Sequence, residues 1–93
     1  MDAEAALSAG LVDYVVNDDT VLAEATEIAR ELASGPTEAY GGIKRLFLQA
    51  PNRSLESQLE DEAQTLATIS RTADAQEGVK AFMEKRKPNF AGK

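Results

Sequence analysis

With no Cys and no His among 93 residues, the side chains left to do chemistry are carboxylates, lysines, arginines and two tyrosines. That removes thiol nucleophiles, thiolate and imidazole metal ligands, and any triad built on an imidazole base. Glu60, Asp61 and Glu62 form the densest acidic group, yet three successive helical positions project in different directions and cannot chelate an ion. No metal site is expected. Glu62 is the unusual carboxylate, because it falls between Leu59 and Leu66 on the stripe of its helix that should be buried. A buried acid needs a partner or a raised pKa. Either it works at an interface or one step back from a ligand, or it makes a structural hydrogen bond to a neighbouring helix or to Arg71, the reading we favour.

The second group is cationic. Lys85, Arg86 and Lys87 follow Phe82 closely; as plain structure they are favourable charges in the last turn of a helix, and Phe82 is a core residue beside Val79 and Met83. Gly41-Gly42 does not follow a strand and open a helix, so it is no phosphate loop. Tyr14 and Tyr40 have no base beside them.

Charge narrows the class of partner. The net charge is −6, with nine acids and one base (Arg30) in residues 1–43 but five bases and one acid (Glu84) in residues 80–93. Nucleic acid is therefore not the expected partner. No apolar run reaches the ~18 residues of a membrane span, and the absence of Cys and of a secretory-type N-terminus points to a cytoplasmic protein. A chain of this length buries only about 60% of its unfolded surface, and with aromatics at 5% its core must be thin.

The elements that position these groups are mostly helical. Asp2 to Ala9 reads as a short helix closed by Gly10, and Leu11 to Val16, the β-branched run, reads as one short strand that needs an edge from elsewhere. Asp18 or Asp19 can cap a helix carrying Val21, Leu22, Ala25, Ile28, Ala29 and Leu32 on one face, and Gly35-Pro36 turns a corner into the next. The third helix, 36–49, has Gly41-Gly42 inside it, which marks close approach of another backbone. A fourth places Leu55, Leu59, Ala63, Leu66 and Ile69 inward; the last begins at Asp74, whose D-x-x-E spacing to Glu77 forms a capping box, and turns Val79, Phe82 and Met83 inward. Residues 89–93 are expected to fray. The fold class is mainly α, about five helices with one short strand.

Three passages in order resemble one family. They are Met1-Asp2-Ala3-Glu4-Ala5-Ala6 through Gly10-Leu11-Val12 and Val15-Val16; Leu32-Ala33-Ser34-Gly35-Pro36 with Lys44; and Asp74, Glu77-Gly78-Val79, then Ala81-Phe82-Met83-Glu84-Lys85-Arg86-Lys87-Pro88-Asn89-Phe90. Together they are similar to the C-terminal third of the enoyl-CoA hydratase/isomerase (crotonase) superfamily, and Glu62 with Ser70 to Asp74 leans toward the phenylacetate-degradation isomerase type.

The resemblance implies the C-terminal part of a ClpP/crotonase spiral fold, with residues 1–17 ending the spiral domain, 18–88 forming a helical assembly domain and 89–93 a tail. In that family the oxyanion hole and the catalytic acids lie in the N-terminal spiral domain, so no catalytic residue is expected here and the chain alone should be inactive. The parent would act on a CoA thioester as substrate, with no further cofactor. Phe82 and Lys85 match positions near the adenine and phosphate end of CoA bound to a neighbouring subunit. Leu66 would line the same region, while Glu62, Asp74 and Glu77 would have structural or supporting roles. Expected partners are further copies of the chain, as a trimer or a dimer of trimers, and the spiral domain. The alternative is a free-standing acidic helical module for protein–protein interaction.

Overall fold

The computed structural model describes residues 1–93. Its helices are α1 (Ala3–Ser8), α2 (Val21–Ala33), α3 (Thr37–Gln49), α4 (Leu55–Ile69) and α5 (Ala73–Met83), with a 3-10 turn at Ala50–Asn52. The chain divides into two compact units, Met1–Arg30 and Glu31–Lys93, and the division falls within α2.

In the first unit, the Asp2 carboxylate accepts from Ala5 N at 2.8 Å and starts α1. The helix ends with Gly10 at φ +70, Gly10 N donating to Leu7 O at 3.0 Å and Leu11 N to Ala6 O at 2.9 Å. This is the left-handed Schellman ending that glycine makes without strain. The strand expected over Leu11 to Val16 does not form. Residues 1–93 supply no second strand to pair with it, and an unpaired strand leaves its backbone groups to water. Leu11, Val12, Tyr14 and Val16 are exposed. Neither Asp18 nor Asp19 caps α2 with its side chain. Instead Thr20 donates its N–H and its hydroxyl to Asn17 O, at 2.9 and 3.0 Å.

In the second unit, glycines set the spacing. Gly35 is buried beneath the Tyr40 ring, which would have to shift to admit a Cβ there, so the corner before α3 favours Gly. Gly42 is likewise buried, and an added Cβ would lie 2.6 Å from Ile69 Cδ1 and 2.9 Å from Thr65 Cγ2 on α4. The close approach read from Gly41-Gly42 belongs to Gly42 alone, for Gly41 faces open space.

The face that α4 turns inward is not its apolar stripe. Gln58, Asp61, Thr65 and Ile69 are the half-buried positions, whereas Leu55, Leu59 and Leu66 are exposed. Asp61 is paired with Arg53, Nε to Oδ2 at 3.1 Å, though too poorly aligned for a hydrogen bond. The same inversion holds on α5, where Asp74 and Ala81 are buried and Val79, Phe82 and Met83 face out. The period marked these faces as apolar and was read as turning them inward; in the structure they are not covered. Ala81 is the single buried apolar residue.

The tail does not fray. Asp74, 3% exposed, accepts from Ala91 N at 2.7 Å and from Gly92 N at 2.8 Å with its two carboxylate oxygens, and its own N–H donates to Lys93 O at 2.9 Å. Phe90 packs over Gly78, and Gly92, at φ +77, lies against Thr37. Carboxylates on α5 thus satisfy backbone donors of the tail, which is why a short polar segment is ordered.

Candidate functional site

The last turn of α5 carries the candidate site. The helix begins not with the expected Asp74–Glu77 capping box but two residues earlier. Thr72 Oγ1 accepts from Ala75 N at 3.1 Å and donates to Ile69 O at 2.8 Å, binding the end of α4 to the start of α5. That frees both acids for the tail.

Glu77 makes the second of those links. Its Oε1 accepts from Arg86 at 2.6 Å and from Asn89 N at 2.8 Å, and its Oε2 from Arg86 at 3.0 Å. Arg86 also donates from Nε to Glu84 at 2.6 Å and from a terminal nitrogen to Lys87 O at 3.2 Å. The fork of Arg86 first, and the Asn89 N–H second, hold the Glu77 carboxyl down at about 2 from an ordinary 4.5. Glu77 and then Glu84 raise the guanidinium above its usual value. Every donor nitrogen of Arg86 is thereby engaged, which leaves it unsuited to a ligand.

Lys85 differs from its neighbours. It adopts φ +54, the one non-glycine residue with positive φ, with Lys85 N donating to Phe82 O at 3.2 Å and Arg86 N to Ala81 O at 3.0 Å. This is the ending Gly10 gives α1, made here by a residue with a Cβ at a cost of about 1–2 kcal/mol. Its ammonium is exposed and in no ion pair. Phe82, three residues earlier, is 85% exposed, so it is not the core residue its spacing allowed. An open aromatic face at Phe82 and an unpaired ammonium at Lys85 therefore lie three residues apart at the end of α5.

The other predicted positions lie elsewhere. Leu66 and Glu62 are on α4, at a groove against α3, where two adjoining hollows of about 280 Å³ share Ile43, Leu46 and Glu62. Glu62 is exposed rather than buried, and its partner is neither a neighbouring helix nor Arg71 but Gln58 one turn back, Nε2 to Oε1 at 3.2 Å. The reason is again the outward turn of the α4 stripe. Arg86 was missed as a functional neighbour; its pairing with Glu77 spans a helix end, where helical spacing gives no signal. No group of three or more metal-ligating side chains is assembled, and no helix is long and apolar enough to cross a membrane.

Comparison with known proteins agrees along the whole chain. The family profile described as Enoyl-CoA hydratase/isomerase matches residues 1–93. The 1,2-epoxyphenylacetyl-CoA isomerase of Escherichia coli (strain K12) is 40% identical over 93 residues, which are 100% of this chain and 36% of that protein. The 2,3-dehydroadipyl-CoA hydratase of the same organism is 33% identical over 91 residues, 98% of this chain and 36% of that one. Among solved structures, an enoyl-CoA hydratase/isomerase from Mycobacterium paratuberculosis superposes with TM-score 0.90 at 33% identity, covering 100% of this chain and 37% of that one. An enoyl-CoA hydratase from Bacillus anthracis does so with TM-score 0.86 at 33% identity, covering 98% and 35%. The chain spans little more than a third of the length of the relatives it matches. By profile, by sequence and by the crotonase-type arrangement of its helices, the chain belongs to the enoyl-CoA hydratase/isomerase family.

Proposed function

We propose that this chain is the C-terminal assembly region of an enzyme acting on acyl-CoA thioesters as hydratase or isomerase, supplying contacts between copies and one edge of the CoA site. The catalytic acids and oxyanion donors would lie outside residues 1–93, so the chain alone should not hydrate or isomerise an enoyl-CoA. One observation carries the assembly part: apolar faces of α2, α4 and α5 point outward, with Leu22, Leu59, Leu66 and Met83 all exposed. Patches of this kind on a folded chain mark contact surfaces. Relatives named for acyl-CoA substrates support the chemistry of the parent. The CoA edge is the Phe82–Lys85 pair, an aromatic face for adenine and a point charge for phosphate.

Sedimentation of the chain tests the assembly reading. Wild type should self-associate, and Leu59→Glu or Leu66→Glu should weaken that association tenfold or more, about 1.4 kcal/mol, with helix content retained. A wild-type chain that sediments as a monomer at micromolar concentration and binds no hydrophobic dye refutes it. An acidic interaction module is the competing reading, and Phe82 and Lys85 discriminate: their replacement should abolish contact with CoA here and be indifferent in an adaptor.

A further inference from the structure

Two helices of this chain end in the same backbone motif with different residues at its left-handed position. At α1 that residue is Gly10, φ +70; at α5 it is Lys85, φ +54. Glycine enters this conformation freely and lysine does not, so something must hold Lys85 there. The hydrogen bonds around it identify the holder. On the C-terminal side Arg86 is tied to Glu77 through two nitrogens, to Glu84 and to Lys87 O, and the next turn of chain is tied to the same Glu77 through Asn89 N. On the N-terminal side the helix itself fixes Phe82 and Glu84. Lys85 is the unanchored side chain within an anchored backbone.

We propose that Glu77 and Arg86 are positioning residues: their ion pair holds the Lys85 backbone left-handed and so fixes where its ammonium stands relative to the Phe82 ring. The device rests on the CoA-edge reading above and says what regulates its quality. Arg86 contributes geometry, because each of its three nitrogens is already bonded to Glu77, Glu84 or Lys87 O, and Lys85 contributes the charge that reaches phosphate. Strain held by surrounding contacts is a recurrent property of sites that must present one group in one direction.

The test is a titration with coenzyme A of the assembled parent enzyme that carries this chain, followed by NMR through the Phe82 and Lys85 amides, for wild type, Lys85→Ala, Glu77→Gln and Arg86→Lys. Glu77→Gln deletes a negative charge beside an anion site, so electrostatics alone would tighten CoA binding; positioning requires that it weaken, by about three- to tenfold. Arg86→Lys keeps the charge but loses the two-pronged grip, and should weaken binding alike. In both variants the φ-dependent coupling of Lys85 should move away from its left-handed value while Ala81 keeps its hydrogen-exchange protection, which shows that α5 is still folded. Binding that is unchanged or tighter in Glu77→Gln or Arg86→Lys, with Lys85→Ala still defective, overturns the positioning role and leaves the CoA edge intact. A wild type unperturbed by CoA, or a Lys85→Ala variant that binds as wild type does, overturns the CoA edge and the positioning role with it.

Discussion

Arg86 reaches back across the end of α5, over nine residues of chain, and holds both carboxylate oxygens of Glu77 at 2.6 and 3.0 Å. The pair is half-exposed, with side chains 37% and 23% accessible, so as a bare surface ion pair its worth would be small. Its geometry makes it more than that, since the same carboxylate also accepts from Asn89 N and three segments of chain meet on one group.

That group should give the chain an acid-sensitive component. Glu77 sits at about 2 in the folded chain against an ordinary 4.5. A carboxyl whose pKa is depressed by folding adds stability that is fully present above the higher value and lost as pH falls through the lower one. Between pH 4.5 and about 2, wild type should lose stability that Glu77→Gln never had. Unfolding midpoints of the two proteins, recorded against pH at low salt, should converge as acid is added; parallel curves across that window would contradict the pairing.

Asp74→Ala should release the tail. The substitution removes an acceptor from two backbone N–H groups, at residues 91 and 92, and hydrogen bonds to a charged group are worth about 1.5–3 kcal/mol each before partial resolvation by water. A loss of about 2–4 kcal/mol is expected by denaturant unfolding. Amide exchange at Ala91 and Gly92 should accelerate with it, and unchanged exchange there would show that the carboxylate does not hold the tail.

The two adjacent glycines of α3 should respond with opposite signs. Gly42→Ala forces a Cβ to within 2.6 Å of Ile69 Cδ1, an overpacking that costs about 1–3 kcal/mol and exceeds the helix-propensity gain. Gly41→Ala meets nothing within 4 Å and should stabilise the chain by up to about 1 kcal/mol. If Gly41→Ala also impairs self-association, position 41 faces a partner copy. Equal effects on stability at both positions would be inconsistent with the packing of α3 on α4.

Lys85→Gly should stabilise the chain while removing the exposed ammonium. Relief of the left-handed strain, about 1–2 kcal/mol, offsets or exceeds the added backbone entropy of glycine, about 0.5–1 kcal/mol, for a net gain of up to about 1.5 kcal/mol. Thermal unfolding checks the first effect and CoA titration the second, and a loss of stability would contradict the strain.

Helix ends were largely legible in the sequence, because the signals that set them are local. Asp2, Gly10 and Gly35-Pro36 stand where the structure starts and stops its helices. Helix faces were legible only in part. The spacing of Leu55, Leu59 and Leu66 identified an apolar stripe, but burial is a relation between two surfaces and no element of residues 1–93 covers this one. Gln58, Asp61 and Thr65 therefore occupy the α3–α4 contact. Asp74 and Glu77 were recognised as special, yet a capping box and a pair of tail anchors share one spacing. Only Thr72, which took the capping role, tells them apart. The exposure of Phe82 and the backbone state of Lys85 follow from tertiary contacts and leave no mark in the string of residues.

The Asp74 anchor also orders events in time. Its donors lie 17 and 18 residues further along the chain, so during synthesis the carboxylate has nothing to accept from until residues 91 and 92 have emerged. A buried carboxylate without its hydrogen-bond donors is costly, and α5 can therefore settle into its final place only together with the tail. A chain that stops short of residue 91 leaves the Asp74 carboxylate to water, and its fifth helix, though formed, stays undocked.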